Sequence, residues 1–206
     1  MILSRRTALV GAGAAALTPS LGRAAEPTAW LNRPKVWTAT GSGLSLRAES
    51  GSDFWRKTLS EGRNLDSGHF YFREIVGDFI STVTVEADYG ADADQTGLMV
   101  RVDAETWMKS GIEWLSGQPH AASVFTRDWS DGSVTRLEGW TGPVTLRVTR
   151  RGPILTCGYG RTGQALFDAR LGYLPMGRSV QLGLTACAPF GPGFEARFSD
   201  WAVSSA

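Results

Sequence analysis

The stretch DQTGLMVRVDAETWMKSGIEW, from Asp94 to Trp114, decides the fold of this chain and its candidate site. It predicts two β-strands joined by a short connection, because apolar and polar residues alternate along both halves. Successive side chains of a strand point to opposite faces, so one face of this hairpin is mostly apolar. The other face carries Gln95, Arg101, Trp107, Lys109 and Glu113. This mixture is typical of a site for a polar ligand, and of a sugar site in particular.

The register of the hairpin follows from keeping the two faces separate. A five-residue connection over residues 102–106 places Arg101 opposite Trp107 and Gln95 opposite Glu113, with Cβ atoms about 5 Å apart. A four-residue connection mixes the faces, because a shift of one residue turns every side chain of a strand to the other side. We therefore predict the five-residue connection.

Beyond this hairpin the sequence also predicts β-structure. No segment has a sustained apolar period of 3.6 residues, whereas short alternating runs recur between Gly, Pro, Asp and Ser residues. The runs are Leu44–Glu49, His69–Glu74, Phe79–Asp88, Gln95–Val102, Trp107–Leu115, Ala121–Arg127, Ser133–Glu138, Val144–Arg150, Ile154–Tyr159, Ala165–Leu171, Val180–Ala188 and Phe194–Val203. They predict one all-β domain over residues 25–206, a sandwich or barrel with very little helix, and a loop at Pro189–Gly193.

Residues 1–24 have the layout of a twin-arginine signal peptide. Arg5 and Arg6 precede an apolar run from Ala8 to Leu17, and small residues near Ala24 offer a cleavage position. The run is too short to span a membrane. We therefore expect export, with a periplasmic or secreted mature chain that begins after Ala24.

The charge balance argues against nucleic acid as a partner. The chain has 21 basic and 20 acidic residues, so that removing Arg5, Arg6 and Arg23 leaves 18 basic residues and a net charge of −2. A nucleic-acid-binding domain normally carries a clear basic excess. The expected partner is a carbohydrate or another polar small molecule.

The two cysteines have two interpretations. Cys157 and Cys187 both lie in apolar, strand-like contexts. A disulfide suits an exported protein, and two buried thiols suit a core, since Cys behaves as a small apolar side chain. No Cys and His spacing matches a metal site, and we predict neither a metal nor a cofactor.

The run that begins at His69 adds two residues to the candidate site. Phe70 and Phe72 are expected to face the core, which turns His69 and Tyr71 to the polar side. A histidine beside a carboxylate can serve in acid–base catalysis, although a lone histidine more often has a structural partner.

Glu113 is the predicted acid–base residue, with His69 assisting it. Beside Lys109 and Gln95 on a concave face, its carboxylate is expected to be partly buried. A structural ion pair with Lys109 is the alternative. A glycosidase normally needs two carboxylates that flank the scissile bond, and the sequence contains no clear motif for the second.

Aromatic side chains are the expected stacking groups of the site. The chain has eight tryptophans, and indole faces pack well against sugar rings. Trp55 and Trp107 are predicted to stack, while Arg101, Lys109 and Gln95 are predicted to hydrogen-bond hydroxyls or a carboxylate of the ligand. Core packing is the alternative for Trp55.

Four segments resemble a domain family of unknown function that includes the regulation of enolase protein. They are Asp53–Thr58 (DFWRKT), Asp66–Phe70 (DSGHF), Asp94–Arg101 (DQTGLMVR) and Trp107–Glu113 (WMKSGIE). The family belongs to the concanavalin A-like lectin/glucanase superfamily. The resemblance implies a jelly-roll sandwich of two antiparallel sheets and no established activity. Members usually carry Tyr where this chain has Ala93.

Three functions are compatible with these patterns. The leading hypothesis is an exported carbohydrate-binding or carbohydrate-processing jelly roll with its site on the concave face. The second is a glycoside hydrolase or lyase that uses Glu113 and His69. The third is a structural or protein-interaction domain whose polar face is a network of mutually paired charges. An unpaired Glu113 in an open groove favours the first two hypotheses, and a closed network favours the third.

Overall fold

The protein is an all-β sandwich in the computed structural model, which describes residues 28–206 and leaves the predicted signal peptide outside. None of the described residues is helical. In chain order the strands are β1 (Ala29–Leu31), β2 (Trp37–Thr40), β3 (Gly43–Ala48), β4 (Phe54–Arg56), β5 (Asn64–Asp66), β6 (His69–Val76), β7 (Phe79–Ala87), β8 (Gln95–Arg101), β9 (Thr106–Leu115), β10 (Gln118–Arg127), β11 (Trp129–Arg136), β12 (Val144–Arg151), β13 (Ile154–Arg161), β14 (Phe167–Tyr173), β15 (Ser179–Cys187) and β16 (Phe194–Ser205).

The strands form two seven-stranded sheets and one small hairpin. The first sheet has the order β1-β6-β15-β8-β9-β10-β11, and the second has the order β14-β13-β12-β7-β16-β3-β2. Strands β4 and β5 pair only with each other. The predicted jelly-roll sandwich of two antiparallel sheets is therefore confirmed. Residues 28–206 include no helix that is both long and apolar enough to cross a bilayer.

Every predicted alternating run coincides with a strand, and the predicted loop at 189–193 separates β15 from β16. The strands that the sequence did not reveal are β1, β2, β4 and β5, which have three or four residues each. So short a segment contains too few positions for a period of two to stand out from chance.

The main core lies between the two sheets and is built by the alternation of the strands. In β7 and β12, Val83, Val85, Leu146 and Val148 are buried there, while the intervening threonines face outward. The inward face of the first sheet contributes Leu98, Val100, Met108 and Ile112. Burial of these apolar side chains is the main favourable contribution to the free energy of folding.

A second apolar cluster covers part of the other face of the first sheet, which we call the outer face. It contains Phe54, Phe70, Met99, Trp107, Val124 and Cys187. Phe54 belongs to β4, so the β4–β5 hairpin lies over the outer face and buries this cluster. The hairpin thereby determines which part of the outer face is accessible.

The cysteines are two buried free thiols. Cys157 packs in the main core, whereas Cys187 packs in the outer cluster, so the first sheet separates them. Burial raises the pKa of Cys157 to about 11 and that of Cys187 to about 12. Of the two interpretations from the sequence, the structure supports the buried thiols.

Candidate functional site

The predicted register of the β8–β9 hairpin is confirmed. Gln95 pairs with Glu113, and Arg101 pairs with Trp107. These side chains and Lys109 therefore share the outer face of the first sheet. The five-residue connection arises because the chain reverses between Arg101 and Trp107, where Val102 N–H donates to the Thr106 carbonyl oxygen at 2.9 Å.

Two facing glycines lie at the centre of this hairpin. Gly97 pairs with Gly111. A Cβ atom on Gly111 would lie 1.9 Å from the carbonyl oxygen of Thr96, and one on Gly97 would lie 2.3 Å from that of Ser110. Only glycine permits so close an approach of the two backbones. The pair leaves a depression in the outer face between Lys109 and Glu113.

The predicted faces of β6 are reversed in the structure. His69 and Tyr71 pair with residues of β15 that point into the main core. Phe70 and Phe72 point to the outer face, where they pack with the outer cluster. Both faces of β6 are covered by other parts of the protein and both carry aromatic residues. The apolar pattern of β6 therefore did not show which face points into the main core.

His69 has a structural role in the main body of the sandwich. Its side chain is 4 % exposed. The Nδ1 atom bonds to the Asn32 carbonyl oxygen at 2.6 Å, and Nε2 accepts the Glu49 backbone N–H at 3.0 Å. Nδ1 is therefore the donor of a neutral imidazole. The predicted pair of His69 and Glu113 does not form, because the sheet lies between them.

Tyr71 also lies away from the outer face. Its hydroxyl bonds to Thr28 Oγ1 at 2.6 Å, and its ring packs 4.9 Å from that of Trp30. It thus belongs to an aromatic group at the edge of the sandwich and does not contact Glu113.

The cations of the outer face are paired under the β4–β5 hairpin. Lys109 Nζ donates to the Phe54 carbonyl oxygen at 2.8 Å and lies 3.4 Å from Asp53 Oδ1, with both charged side chains 7 % exposed. Arg101 donates to both oxygens of Asp66 at 2.8 and 2.9 Å. We call this region, with Trp107, the covered half of the outer face.

The two predicted stacking tryptophans belong to the covered half. Trp107 is fully buried, with its ring 6.1 Å from that of Phe54. This burial excludes stacking of Trp107 on a ligand. Trp55 is half-buried on β4, and its Nε1 donates to the Thr58 carbonyl oxygen at 2.6 Å. Its ring lies over the backbone of Gly132 on β11, outside the cleft described next.

The remainder of the outer face forms a small cleft, whose free volume of about 20 Å³ is close to that of a single water molecule. We call it the open cleft. Its floor is the glycine pair, and its walls come from β8, β9, β10 and β15. The residues with side chains toward it include Gln95, Lys109, Glu113, Ala122, Val124 and Thr185.

Glu113 differs from the other charged residues of this face because it has no ion pair. Within residues 28–206 its carboxylate has neither a hydrogen bond nor a salt bridge. Burial raises the pKa of Glu113 above its ordinary value of 4.5. The charge of Lys109 opposes this shift, that of Asp53 adds to it, and that of His120 opposes it.

His120 is a residue of this site that sequence reasoning missed. It lies directly opposite Glu113 in the β9–β10 pair. Its Nδ1 contacts the Gln118 carbonyl oxygen at 3.1 Å. A signal was present in the sequence, because Ser116 and Gly117, both with positive φ, form a two-residue hairpin turn that fixes this register.

Two further polar groups of the open cleft lack partners in the described part of the chain. Thr185 is 3 % exposed, and its Oγ1 is buried without a hydrogen bond. The side-chain amide of Gln95 likewise has no hydrogen bond to residues 28–206. An unsatisfied buried hydroxyl costs free energy, so both groups can bind a ligand or water. Among the described residues no cluster of three His, Cys, Asp or Glu side chains could hold a metal ion.

These features define a class: an antiparallel two-sheet jelly roll with a small polar cleft on the outer face of one sheet. The chain belongs to the family described as "Protein of unknown function (DUF1349)", whose model matches residues 30–206. The resemblance noted in the sequence is thereby confirmed.

Two matches come from Saccharomyces cerevisiae. The "Regulation of enolase protein 1" of this yeast is 33 % identical over 176 residues, which are 85 % of this chain and 88 % of that protein. A crystal structure of a functionally unknown yeast protein has a TM-score of 0.82 and 32 % identity, and the match covers 87 % of this chain and 96 % of that one.

The fold is also found in a carbohydrate-active enzyme. A xylan beta-1,4-xylosidase from Bacillus Halodurans matches with a TM-score of 0.60 and 14 % identity, over 91 % of this chain and 41 % of that one. At this identity the likeness concerns the fold alone.

Proposed function

We propose that this protein is a carbohydrate-binding jelly-roll domain whose open cleft receives a hydroxyl group of a sugar, with Glu113 as the main hydrogen-bond acceptor. The observation that carries the proposal is the unpaired state of Glu113. Every other charge near it, on Lys109, Arg101 and Asp53, has a partner. A carboxylate whose charged form is destabilised by burial, and which has no ion pair with the described residues, is typical of a functional site.

The polar groups of the open cleft match a hydroxyl-rich ligand. Glu113 accepts hydrogen bonds, Gln95 both donates and accepts them, and Thr185 offers a hydroxyl without a partner. Lys109 makes two contacts, with the Phe54 carbonyl oxygen and with Asp53, and retains a third N–H donor. The glycine floor lets a ligand hydroxyl approach the backbone closely. With a free volume of about 20 Å³, the cleft admits such a hydroxyl and not a whole ring.

A glycan array followed by calorimetric titration with monosaccharides tests the proposal. Glu113→Gln should weaken binding by about 10- to 100-fold, because hydrogen bonds to a charged group contribute about 1.5 to 3 kcal/mol. Glu195→Gln is the matched control, since Glu195 lies on the second sheet beside Arg47. Equal affinities of both variants for every bound sugar would contradict the proposal.

A second candidate function is acid–base catalysis on a glycoside or a uronic acid chain. The raised pKa of Glu113 favours it, because a carboxyl group that holds its proton can act as a general acid. Hydrolysis also needs a second carboxylate. Asp53 is engaged by Lys109 and by the Phe54 N–H, so binding without turnover is the better supported function. Release of chromophore from nitrophenyl glycosides, lost in Glu113→Gln, would reverse this preference.

Export by the twin-arginine route is part of the proposal and rests on residues 1–24, which lie outside the described structure. The support is the Arg5-Arg6 pair followed by the apolar run. Replacing both arginines by Lys should retain the precursor in the cytoplasm. Fractionation of cells that express the double variant measures this, and unchanged secretion would exclude the route.

A further inference from the structure

A second and larger groove lies at one end of the sandwich, between the two sheets. Its volume is about 650 Å³, against about 20 Å³ for the open cleft. Val85 and Ala87 of the second sheet form one side. Trp114 and Gln118 of the first sheet form the other, and the segment 136–142 between β11 and β12 closes the end.

Three aromatic rings line this groove and are held in place by neighbours. Tyr89 and Trp114 stack with 5.9 Å between centroids and 13° between planes. The Tyr89 hydroxyl bonds to Thr96 Oγ1. Burial raises the pKa of Tyr89 above its ordinary value, so this hydroxyl stays protonated at neutral pH.

Trp140 is the third ring, and it is supported by residues that do not line the groove. The Arg161 guanidinium lies 4.8 Å from its centroid, and the Tyr159 ring meets it edge-on at 5.7 Å. Trp140 is carried between Gly139 and Gly142, both at positive φ. The ring is thus preorganised toward the groove, which lowers the entropic cost of binding a ligand to it.

The charges at the rim of the groove are paired within the protein. Arg136 Nε donates to Gln118 Oε1 at 2.6 Å, and Arg136 lies 3.7 Å from Glu138. Glu86 lies 3.9 Å from Arg197. Because these charged groups already have partners in the protein, the groove presents polar atoms but, among the described residues, no unpaired charge at its rim. Such a groove suits a neutral ligand.

We infer that this groove binds a neutral oligosaccharide of pyranose units. A pyranose ring has C–H faces that pack on indole and phenol rings and a rim of hydroxyls for groups such as Gln118 and Thr141. The volume of about 650 Å³ accommodates more than one pyranose unit, whereas the open cleft admits only a hydroxyl group. The groove lies on the opposite side of the first sheet from Glu113, and the inference is independent of the function proposed for that residue.

The test is calorimetric titration of the mature chain with cellohexaose, xylohexaose and, as an anionic comparison, hexagalacturonate. At least one of the two neutral hexasaccharides should bind, and its affinity should be higher than that of hexagalacturonate. Trp140→Ala should weaken this binding about tenfold, because the variant loses the contact of one aromatic ring with the ligand.

Two controls keep the test decisive. Trp129→Ala removes a tryptophan that is 48 % exposed, is remote from the groove, and should leave the affinity unchanged. Trp140→Phe keeps a ring against Tyr159 and Arg161 and should have an intermediate affinity at an unchanged melting temperature.

Absence of binding by all neutral hexasaccharides, or equal losses in Trp140→Ala and Trp129→Ala, would overturn the inference. Failure of monosaccharide binding at Glu113 would instead overturn only the proposed function.

Discussion

The two halves of the outer face differ in how their charges are satisfied, although the same strand supplies both. Trp107 and Lys109 of β9 lie under the β4–β5 hairpin, and Lys109 contacts Asp53 and the Phe54 carbonyl oxygen. Gly111 and Glu113, further along β9, lie in the open cleft without such a cover. The covered half is a closed network, and the open half contains a carboxylate without a cation.

This contrast separates the structural role of a polar face from its binding role. Pairing in the covered half offsets the cost of removing Lys109 and Asp53 from water. Glu113 has no ion pair with residues 28–206, and burial raises its pKa although the charge of Lys109 opposes the shift. The third hypothesis from the sequence, a network of paired charges, therefore describes the covered half, and a binding site is proposed only for the open half.

The largest effect is expected for the buried pair of the covered half. Asp53→Asn should lower the free energy of unfolding by about 3 to 5 kcal/mol, because it leaves Lys109 buried without a counter-charge. Denaturant unfolding monitored by tryptophan fluorescence measures the change. Asp168→Asn is the control, since its pair with Arg147 is on the surface and should cost less than about 1 kcal/mol. Equal losses would mean that Lys109 is not isolated from solvent by the hairpin.

An intermediate effect is expected for the ion pair at the margin of the hairpin. Asp66→Asn should cost about 1 to 2 kcal/mol, because Arg101 loses a two-point contact but can still reach water near Asp66. The Arg101 side chain is 8 % exposed and that of Asp66 is 40 % exposed.

Asp88→Asn is the matched control for Asp66→Asn. Asp88 also binds an arginine through both oxygens, but the side chains are 62 % and 41 % exposed. Its loss should stay below about 0.5 kcal/mol. A loss for Asp66→Asn no larger than this would show that Arg101 is not held by the hairpin.

The smallest effect on stability is expected for Glu113→Gln. The folded state holds the Glu113 proton more tightly than the unfolded state, whose pKa is near 4.5. Above this pH the unfolded state binds fewer protons, so the free energy of unfolding falls as pH rises through the raised pKa. The amide removes this dependence, and the variant should equal or exceed the wild type in stability at pH 7.

Unfolding of both proteins at pH 4 and at pH 7 measures this dependence. The free energy of unfolding of the wild type should fall relative to that of Glu113→Gln as the pH rises from 4 to 7. A loss of about 3 kcal/mol or more at pH 7 would assign Glu113 to a buried ion pair and defeat the binding role.

Several features of the site were accessible from the sequence because they depend on local periodicity. Alternation along Gln95–Arg101 and Thr106–Leu115 determined which residues share a face, and separating the two faces determined the register. The position of His120 opposite Glu113 was accessible through the Ser116-Gly117 turn, although only the structure revealed it.

Other features could not be predicted because they depend on elements distant in sequence. The β4–β5 hairpin has three residues in each strand and pairs with no other strand, yet it buries Trp107 and engages Lys109 and Arg101. Nothing in the local pattern of β9 indicates which of its polar residues will be covered.

The alternation in the sequence by itself predicted an all-β sandwich or barrel, the register of its central hairpin and the polar character of one sheet face, since period-two alternation is a local property of the chain. Only the tertiary structure decided that His69 and Tyr71 face the core, that Cys157 and Cys187 remain thiols on opposite sides of a sheet, and that Glu113 has no ion pair with residues 28–206. Each of these depends on which distant segment packs on which face. A strand with apolar residues on both sides carries no information on that choice.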